Sequence, residues 1–445
     1  MKTSSKGSSD ILFFNRAIWI YCILLIFEGA LRKWFLPGLA TPLLLVREPI
    51  VIWLVIVGVN RGWLKNNFVI AIAIISSLSF LLSISVGHQN LGTAFYGWRI
   101  YLFHIPFIFI IYRILTREDV IKIGRIILYI SIPMTVLIIL QFYSPQSAWV
   151  NRGIGGDTEG AGFSGALGFF RPSGTFSFTS GYVMYQLLVG SFLFYYLVAN
   201  VSLPPYIRIK PIWLWTIFGC YLLTIPFSIS RSHLIQSVIV ALFMVLGSIW
   251  SGNKHIQGRL FQLIPIVLVV IVGILFSGLA DDSLGAFTSR FESANEIEGG
   301  VEGVVGDRYI GGMFRGLYND KIPFWGYGLG LGTNVGANLA GGTGGMFSFF
   351  NGEGEWGRMT SESGLLLGWS LIAIRIGIMG VIFFRAYRAL RKNKDMLPWM
   401  LCSGMLLTFP QGQFGIPTNL GFCIFIAGLT YAATKERKKR VRYES

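Results

Sequence analysis

The sequence is poor in charged side chains. Only 13% of its 445 residues are Asp, Glu, Lys or Arg, whereas soluble globular domains average about 25%. The length alone would allow about two or three soluble domains, and this shortage of charge excludes them. Apolar residues make up 53% of the chain and its mean hydropathy is +0.61, which also excludes intrinsic disorder. The composition therefore indicates an integral membrane protein.

Cysteine and histidine are scarce, and their placement argues against two kinds of site. The 4 cysteines lie singly in apolar runs and form no Cys-x-x-Cys pair, so we expect buried thiols that act as small apolar side chains. The 4 histidines lie far apart and form no His-Glu-x-x-His motif. The sequence therefore predicts neither a metal site nor a cofactor.

Long apolar runs follow one another along most of the chain. They are continuous rather than alternating, which excludes a membrane β-barrel. The runs begin near Asn15, Leu39, Asn67, Tyr96, Val120, Ser180, Pro211, Ser232, Arg259, Glu362, Leu397 and Gly415. We therefore predict an all-α fold, with one integral membrane domain over residues 1–445 that forms a transmembrane bundle of about twelve helices.

Positive charge is concentrated on one side of this predicted bundle. If the N-terminus is cytoplasmic, 24 of the 37 Lys and Arg residues fall in short segments on the cytoplasmic side, in agreement with the positive-inside rule. Both termini are therefore expected in the cytoplasm, and the net charge of +16 needs no nucleic-acid partner. The first run ends in Glu28-Gly-Ala-Leu-Arg-Lys-Trp34 without a small-residue cleavage site, which predicts an uncleaved anchor.

Two long segments are predicted on the opposite, outer side of the membrane. They are a first outer loop over residues 144–179 and a larger outer loop over residues 280–361. The stretch from Asp281 to Glu362, which covers this larger loop and the residue after it, contains 11 of the 21 acidic residues and many glycines. Because long loops in compact bundles are usually functional, we expect a periplasmic subdomain that handles a polar substrate. A merely solvated, charged loop is the alternative.

The larger loop carries two arginines on one predicted helix. Asp307 is a suitable N-cap for a helix that continues through Tyr318. Arg308 and Arg315 would share one face of this helix, about 10 Å apart. That spacing suits the two ends of a diphosphate with its sugar, and arginine can fork onto phosphate oxygens. The alternative is that both side chains extend toward lipid head groups.

A group of charges precedes the next apolar run. Glu355, Arg358 and Glu362 follow the spacing i, i+3, i+7, so they share one face if the helix begins that early. One interpretation is a structural ladder of ion pairs. The other is a catalytic group in which Glu353 or Glu355 is a general base beside an anion-binding Arg358.

Two further arginines stand in apolar surroundings on the outer side. Arg171 lies in Phe169-Phe-Arg-Pro-Ser-Gly-Thr-Phe176, and Arg231 lies in Ser228-Ile-Ser-Arg-Ser-His233. An arginine at the membrane without a neighbouring carboxylate needs a partner, and a bound anion is one candidate. Extension toward lipid head groups is the other. The number of such arginines on a side that the positive-inside bias should deplete favours anion binding.

In their order along the chain, these motifs resemble the O-antigen polymerase and ligase superfamily. The motifs are Glu28–Trp34, Arg171-Pro-Ser-Gly-Thr-Phe176, Ser230-Arg-Ser232, the Arg308 helix that closes on Pro323-Phe-Trp-Gly-x-Gly-x-Gly330, and Glu362-Ser-Gly364. The resemblance extends over most of the chain. It implies a GT-C-like, metal-independent, inverting glycosyltransferase that acts on undecaprenyl-diphosphate-linked glycans at the periplasmic face of the bacterial inner membrane.

The resemblance also implies roles for the outer arginines. Arg231 and Arg308 match positions that bind the diphosphate of the donor, and Arg171 matches an arginine of the first outer loop. Arg315 and Gly326 fit an Arg-x10-Gly pattern found in polymerases.

One departure from the family pattern bears on the reaction. Similar ligases have a histidine in the outer loop before the late helix, where this chain has Glu353, Glu355 and Arg358. We therefore expect a polymerase that joins lipid-linked oligosaccharide repeats into O-antigen or exopolysaccharide. The alternatives are a ligase that transfers glycan to a lipid or other acceptor and, from another class, a transporter of polysaccharide or lipid. The expected partners are the undecaprenyl-diphosphate-linked glycan, the lipid bilayer, and a chain-length regulator or other polysaccharide-assembly protein.

Overall fold

The computed structural model describes residues 3–160, 162–278, 280–298, 311, 322–339 and 354–436. The predicted all-α class is confirmed, because the protein is 77% helical. In the described ranges the only strands are β1 (Ser164–Ala166) and β2 (Phe169–Phe170), which form one antiparallel hairpin. The predicted helix after Asp307, and with it Arg308 and Arg315, lies outside the described residues, as does Glu353.

The α-helices are numbered here in chain order over the described ranges. They are α1 (Thr3–Ala30), α2 (Ala40–Leu43), α3 (Glu48–Asn60), α4 (Asn67–Ser85), α5 (Leu91–Arg99), α6 (Ile105–Ile114), α7 (Arg117–Tyr143), α8 (Thr179–Ala199), α9 (Pro211–Phe227), α10 (Arg231–Trp250), α11 (Lys254–Phe276), α12 (Asp281–Glu298), α13 (Gly336–Leu339), α14 (Glu355–Asn393), α15 (Met396–Thr408) and α16 (Pro417–Ala433).

Ten helical segments of the described chain are long and apolar enough to cross a membrane. They are Ile11–Phe35, Pro37–Asn60, Asn67–Ser85, Leu91–Ile114, Arg117–Tyr143, Thr179–Ser202, Pro205–Phe227, Arg231–Trp250, Lys254–Gly273 and Glu355–Asn393. The last two runs of the sequence prediction correspond to α15 and α16, which are apolar but have only 13 and 17 residues. The protein is therefore a polytopic helical protein of the membrane type, and its described residues contain ten helices of spanning length where about twelve were expected.

The three helices α8, α15 and α16 lie at the centre of the bundle. α16 packs against α1, α6, α8, α14 and α15, while α8 also packs against α7, α9 and α10. Nearly every side chain of α16 is therefore buried. Alanine, glycine and threonine are frequent in it, and small residues let helix backbones approach closely within a membrane. A helix surrounded by protein can be shorter and less apolar than one that faces lipid.

Two spans contain a π-helical turn, and each turn carries cationic or titratable side chains into the protein. α1 continues into the turn Leu31–Phe35, in which Arg32 and Lys33 are buried. The turn Ile100–His104 joins α5 to α6 and buries His104. A π turn holds one extra residue per turn, so it redirects side chains that a regular helix would place elsewhere, and such turns occur frequently at functional sites.

The end of the bundle at which α1, α7 and α9 finish is called the loop end below. The β1–β2 hairpin of the first outer loop lies there, because Phe169 stacks on Phe142 near the end of α7 with ring centroids 4.3 Å apart. α12 of the larger outer loop packs on β1, and Arg290 Nη1 donates to the carbonyl oxygen of Gly165 at 3.1 Å. The two outer loops therefore meet at the same end.

α14 is broken near its start, also at the loop end. Gly364 has φ +77°, a conformation that glycine adopts without a steric penalty. The break frees the carbonyl oxygens of Ser361 and Glu362, which accept hydrogen bonds from the backbone N–H groups of Tyr327 at 2.8 Å and Gly328 at 2.9 Å. The described part of the larger loop thus satisfies backbone groups that could not be left open inside a membrane.

We predict that Gly29→Ala destabilises the protein through the contact between α1 and the first outer loop. A Cβ atom on Gly29 would lie 2.6 Å from Ser177 N and 2.8 Å from the backbone carbon of Phe176. Such overpacking typically costs about 1–3 kcal/mol, so the thermal unfolding midpoint of the purified protein should fall. Gly38→Ala is the matched control, because no atom lies within 4 Å of its added Cβ. Equal midpoints for the two variants would contradict the prediction.

Candidate functional site

Lys33 fastens the first outer loop to the end of α1. Its ammonium group donates to Ser173 Oγ at 3.2 Å, to the carbonyl oxygen of Gly174 at 2.7 Å and to that of Phe176 at 2.9 Å. The side chain is among the largest fully buried ones, with 1% exposure. This set of three bonds is called the Lys33 clamp. It joins two of the sequence motifs, Glu28–Trp34 and Arg171–Phe176, into one structural unit.

Further contacts make the clamped loop rigid. Arg32 Nη1 donates to Ser177 Oγ at 2.9 Å, and Thr175 Oγ1 donates to the carbonyl oxygen of Ile26 at 2.7 Å. The amide of Gln141 donates to the carbonyl oxygen of Gly174 at 3.2 Å and accepts from its N–H at 2.8 Å. Backbone and side chains of α1 and α7 therefore hold the loop from two sides.

Arg171 precedes this loop directly and lies beside a small polar cavity. Its backbone N–H donates to the carbonyl oxygen of Phe163 at 2.9 Å, which extends the hairpin by one more pair. Both turn residues of the hairpin, Leu167 and Gly168, have positive φ, as expected for a tight two-residue connection. The cavity is lined by Lys33, Gln141, Gln146, Asn151, Phe170, Arg171, Pro172 and Ser173.

Arg231 is the first residue of α10 and follows a strained turn. Ile229 has φ +46° and is fully buried, and for a β-branched residue this conformation costs on the order of 1–3 kcal/mol. Ser230 then caps α10 by accepting from the N–H of His233 at 3.4 Å. The hairpin packs on this turn, since a Cβ on Gly165 would lie 3.0 Å from Ile229 Cδ1. Arg171 and Arg231 therefore lie on neighbouring segments of the loop end.

A second group of charged side chains lies next to the Lys33 clamp. Glu28 Oε2 accepts from Arg47 Nε at 2.9 Å, while its other oxygen lies 3.7 Å from Arg32 Nη1. Arg47 also donates to the carbonyl oxygen of Pro417 at 3.0 Å, which ties α3 to the start of α16. Strong ion pairs of this kind are favourable inside a protein only when further hydrogen bonds complete them.

The π turn between α5 and α6 adds a triad to this region. Glu48 forms an ion pair with Arg99 and a hydrogen bond with His104, whose Nε2 lies 2.9 Å from Glu48 Oε2. Together with the preceding group, the region contains the carboxylates Glu28 and Glu48 and the guanidinium groups of Arg32, Arg47 and Arg99. Positive charge is thus in excess beside the clamp.

The start of α14 holds a compact network of four buried charged side chains. α14 begins at Glu355. Glu355, Arg358 and Glu362 therefore lie on one face of this helix, as their spacing predicts. Arg358 forks onto Glu355, with Nε at 3.0 Å and Nη2 at 2.8 Å from its two oxygens, and Nη1 lies 2.6 Å from Glu362 Oε2. Arg375 Nη1 donates to Glu355 at 3.1 Å, and its guanidinium carbon lies 3.6 Å from the Phe414 ring centroid. The two carboxylates and two guanidinium groups balance in charge.

Glu355 is therefore fully occupied in this geometry. One carboxylate oxygen accepts from both Arg358 and Arg375, and the other accepts from Arg358 and from the N–H of Phe414 at 3.1 Å. A carboxylate whose lone pairs are all engaged has no free lone pair with which to accept a further proton. To act as a general base, Glu355 would have to release one of these donors.

The chain matches no model of a known protein family, no curated protein and no solved structure.

Sequence reasoning found some of these residues and missed others. Glu355 and Arg358 are brought into contact, and Arg171 and Arg231 onto neighbouring segments, whereas Glu353, Arg308 and Arg315 lie outside the described residues. Lys33, Arg99 and His104 were not singled out from the sequence. The sequence feature that could have identified them is that each is a cationic or titratable side chain inside an apolar run, where such side chains are rare and usually functional.

No metal site is seen in the described ranges. Within them, no group of three or more His, Cys, Asp or Glu side chains is arranged to hold a metal ion. The chemistry available at the loop end of the described chain comes from guanidinium, ammonium, carboxylate, amide and hydroxyl groups.

We predict that Glu355→Gln lowers the thermal unfolding midpoint markedly. The substitution removes the charge that Arg358 and Arg375 share, and breaking a buried ion pair typically costs about 3–5 kcal/mol. Glu292→Gln is the matched control, because Glu292 is exposed on α12. An unchanged midpoint for Glu355→Gln would show that the network does not hold the start of α14 in place.

Proposed function

We propose that this protein is a membrane glycosyltransferase that polymerises polyprenyl-diphosphate-linked oligosaccharide repeats at its loop end. The observation that carries the proposal is the meeting of motifs that lie far apart in sequence. The Glu28–Trp34 motif clamps the Arg171–Phe176 motif, and the hairpin beside Arg171 packs on the turn that precedes Arg231. The sequence resemblance rests on these same motifs.

The chemistry of glycosyl transfer gives the outer arginines a defined task. A hydroxyl oxygen of the acceptor sugar attacks the anomeric carbon of the donor, and the bond between that carbon and the diphosphate oxygen breaks. The polyprenyl diphosphate leaves with the bonding electrons, so negative charge grows on it in the transition state. Fixed guanidinium groups stabilise this charge most effectively when the site is already arranged before the reaction. In this proposal Arg171, Arg231, Arg308 and Arg315 bind the diphosphate and the adjoining sugar.

The acceptor hydroxyl must lose its proton to a base as the new bond forms. The candidates from the sequence are Glu353 and Glu355, with Arg358 beside them. Because Glu355 already accepts from four donors, it would have to release one of them to take this role. A positioned general base contributes about 10²–10⁴-fold to the rate.

Transport of a lipid-linked glycan is the second candidate, and one observation favours it. The described spans contain buried ionisable side chains apart from the candidate site residues, including the triad of Glu48, Arg99 and His104. α14 is also interrupted at Gly364, and ionisable side chains together with broken helices are typical of transporter sites.

Deleting the gene in its host and resolving surface glycans by gel electrophoresis separates the candidates. For a polymerase, we expect material that carries a single repeat in place of long chains. Long lipid-linked chains that fail to reach their acceptor would instead identify a ligase. Repeats trapped inside the cell would identify a transporter, and an unchanged glycan profile would contradict all three functions.

We predict that Arg171→Lys shortens or abolishes the polymer in the same gel assay. Lysine keeps the charge but cannot fork onto two phosphate oxygens. Losing one charged hydrogen bond, worth about 1.5–3 kcal/mol, corresponds to a fall in rate of about 10- to 100-fold. Arg61→Lys, an exposed change after α3 at the opposite end of the bundle, is the control and should leave chain length unchanged. Full-length polymer from stably inserted Arg171→Lys would remove Arg171 from the site.

A further inference from the structure

The Lys33 ammonium group has no counter-ion in the described structure. Its partners there are three neutral oxygens and the ring of Trp34, whose centroid lies 4.7 Å from Nζ. Neutral acceptors satisfy the three N–H donors but leave the unit charge uncompensated. Because a buried charge without an opposite charge is unfavourable, this site attracts an anion.

The cavity next to Lys33 has the composition of an anion site. Among its eight lining residues are an ammonium group, a guanidinium group, three amides and a hydroxyl, and none is acidic. Lys33, Gln141 and Ser173 are buried, whereas Gln146, Phe170 and Arg171 are partly or fully exposed. The buried cation therefore forms the floor of the cavity, and Arg171 stands at its mouth.

The walls of the cavity are fixed before any ligand arrives. Asn151 Nδ2 donates to the carbonyl oxygens of Gln141, Ser144 and Pro145 at 2.9 to 3.1 Å. Gln141 Nε2 also donates to the carbonyl oxygen of Val150 at 2.8 Å. A binding site whose side chains are already ordered loses little conformational entropy when the ligand binds.

We propose that this cavity binds a phosphoryl group, with Lys33 supplying the buried positive charge and Arg171 the guanidinium that forks onto the phosphate oxygens. The assignment of that group to the diphosphate of a lipid-linked glycan rests on the proposed function. Lys33 then has two tasks, because the same ammonium group that clamps the first outer loop also sets the potential of the cavity. A single phosphate of a membrane lipid head group has the same basic chemistry and is the competing source.

The test uses the full chain in nanodiscs of zwitterionic phosphatidylcholine, titrated with inorganic pyrophosphate and with farnesyl diphosphate by calorimetry. The informative variant is Gln146→Glu, which is nearly isosteric and places a carboxylate at the mouth of the cavity. Gln146 Oε1 accepts from the N–H of Gly162 at 3.3 Å, a bond that a carboxylate oxygen retains. Gln257→Glu on α11, at the opposite end of the bundle, is the matched control.

For Gln146→Glu we expect two effects of opposite sign. Without ligand the thermal midpoint should rise, because the new carboxylate supplies the missing counter-ion. Binding of both diphosphates should weaken by about tenfold or more, since the carboxylate competes with and repels the ligand. Lys33→Met should also weaken binding, whereas Gln257→Glu should leave the diphosphate affinity unchanged. Diphosphate affinity within about twofold of the unmodified protein in Gln146→Glu would overturn the proposal.

Two further outcomes separate the source of the phosphoryl group from the proposed function. If nanodiscs of phosphatidylglycerol suppress pyrophosphate binding and those of phosphatidylcholine do not, the cavity is a lipid head-group site and the diphosphate assignment is overturned. If gene deletion leaves surface glycans unchanged while pyrophosphate binding depends on Lys33, the glycosyltransferase proposal fails and the phosphoryl site stands.

Discussion

A charge buried inside a membrane protein has to be compensated by groups of the protein itself, and this constraint determines the structure of the loop end. Three solutions occur there. Arg358 is matched by the carboxylates of Glu355 and Glu362, and Arg375 combines one carboxylate with backbone carbonyl oxygens and an aromatic ring. Lys33 has three neutral oxygens and the ring of Trp34, and no carboxylate. Only the groups around Lys33 accept from its N–H donors without supplying a negative charge. The degree of charge compensation therefore differs between these three sites, and a positive electrostatic potential remains at the end of α1.

Irregular backbone places these groups where a straight helix could not. The π turn after α1 directs Arg32 and Lys33 inward together, and the turn after α5 does the same for His104 beside Arg99. The break at Gly364 lets α14 begin with a short helix whose carbonyl oxygens bond to residues 327 and 328. Each irregularity exposes backbone polar groups, which a membrane tolerates only where protein covers them. The outer loops provide that cover, so they are part of the fold as well as of the candidate site.

The local pattern of the sequence was sufficient to predict the fold class and the contacts between side chains of one helix. Long apolar runs predicted about twelve membrane helices, of which ten have spanning length in the described chain, and the spacing of Glu355, Arg358 and Glu362 predicted their shared face. The pattern could not reveal the Lys33 clamp, because the partners are backbone carbonyl oxygens about 140 residues away, and every residue carries such a group. It also could not show that α15 and α16 are central, because a helix surrounded by protein needs neither the length nor the hydrophobicity of a lipid-facing one.

The neutral network on α14 has a consequence for any anion at this end of the bundle. Two carboxylates near a diphosphate would repel it if they were uncompensated, and in a medium of low dielectric constant the repulsion would extend over many ångströms. Because Arg358 and Arg375 balance Glu355 and Glu362, these acidic side chains can brace α14 without opposing the positive potential at Lys33. Acidic residues that build the scaffold and basic residues that attract a ligand can therefore share one end of the protein. Releasing a donor from Glu355 would alter this balance, so proton transfer by that residue would be coupled to movement of Arg358, Arg375 or the segment around Phe414.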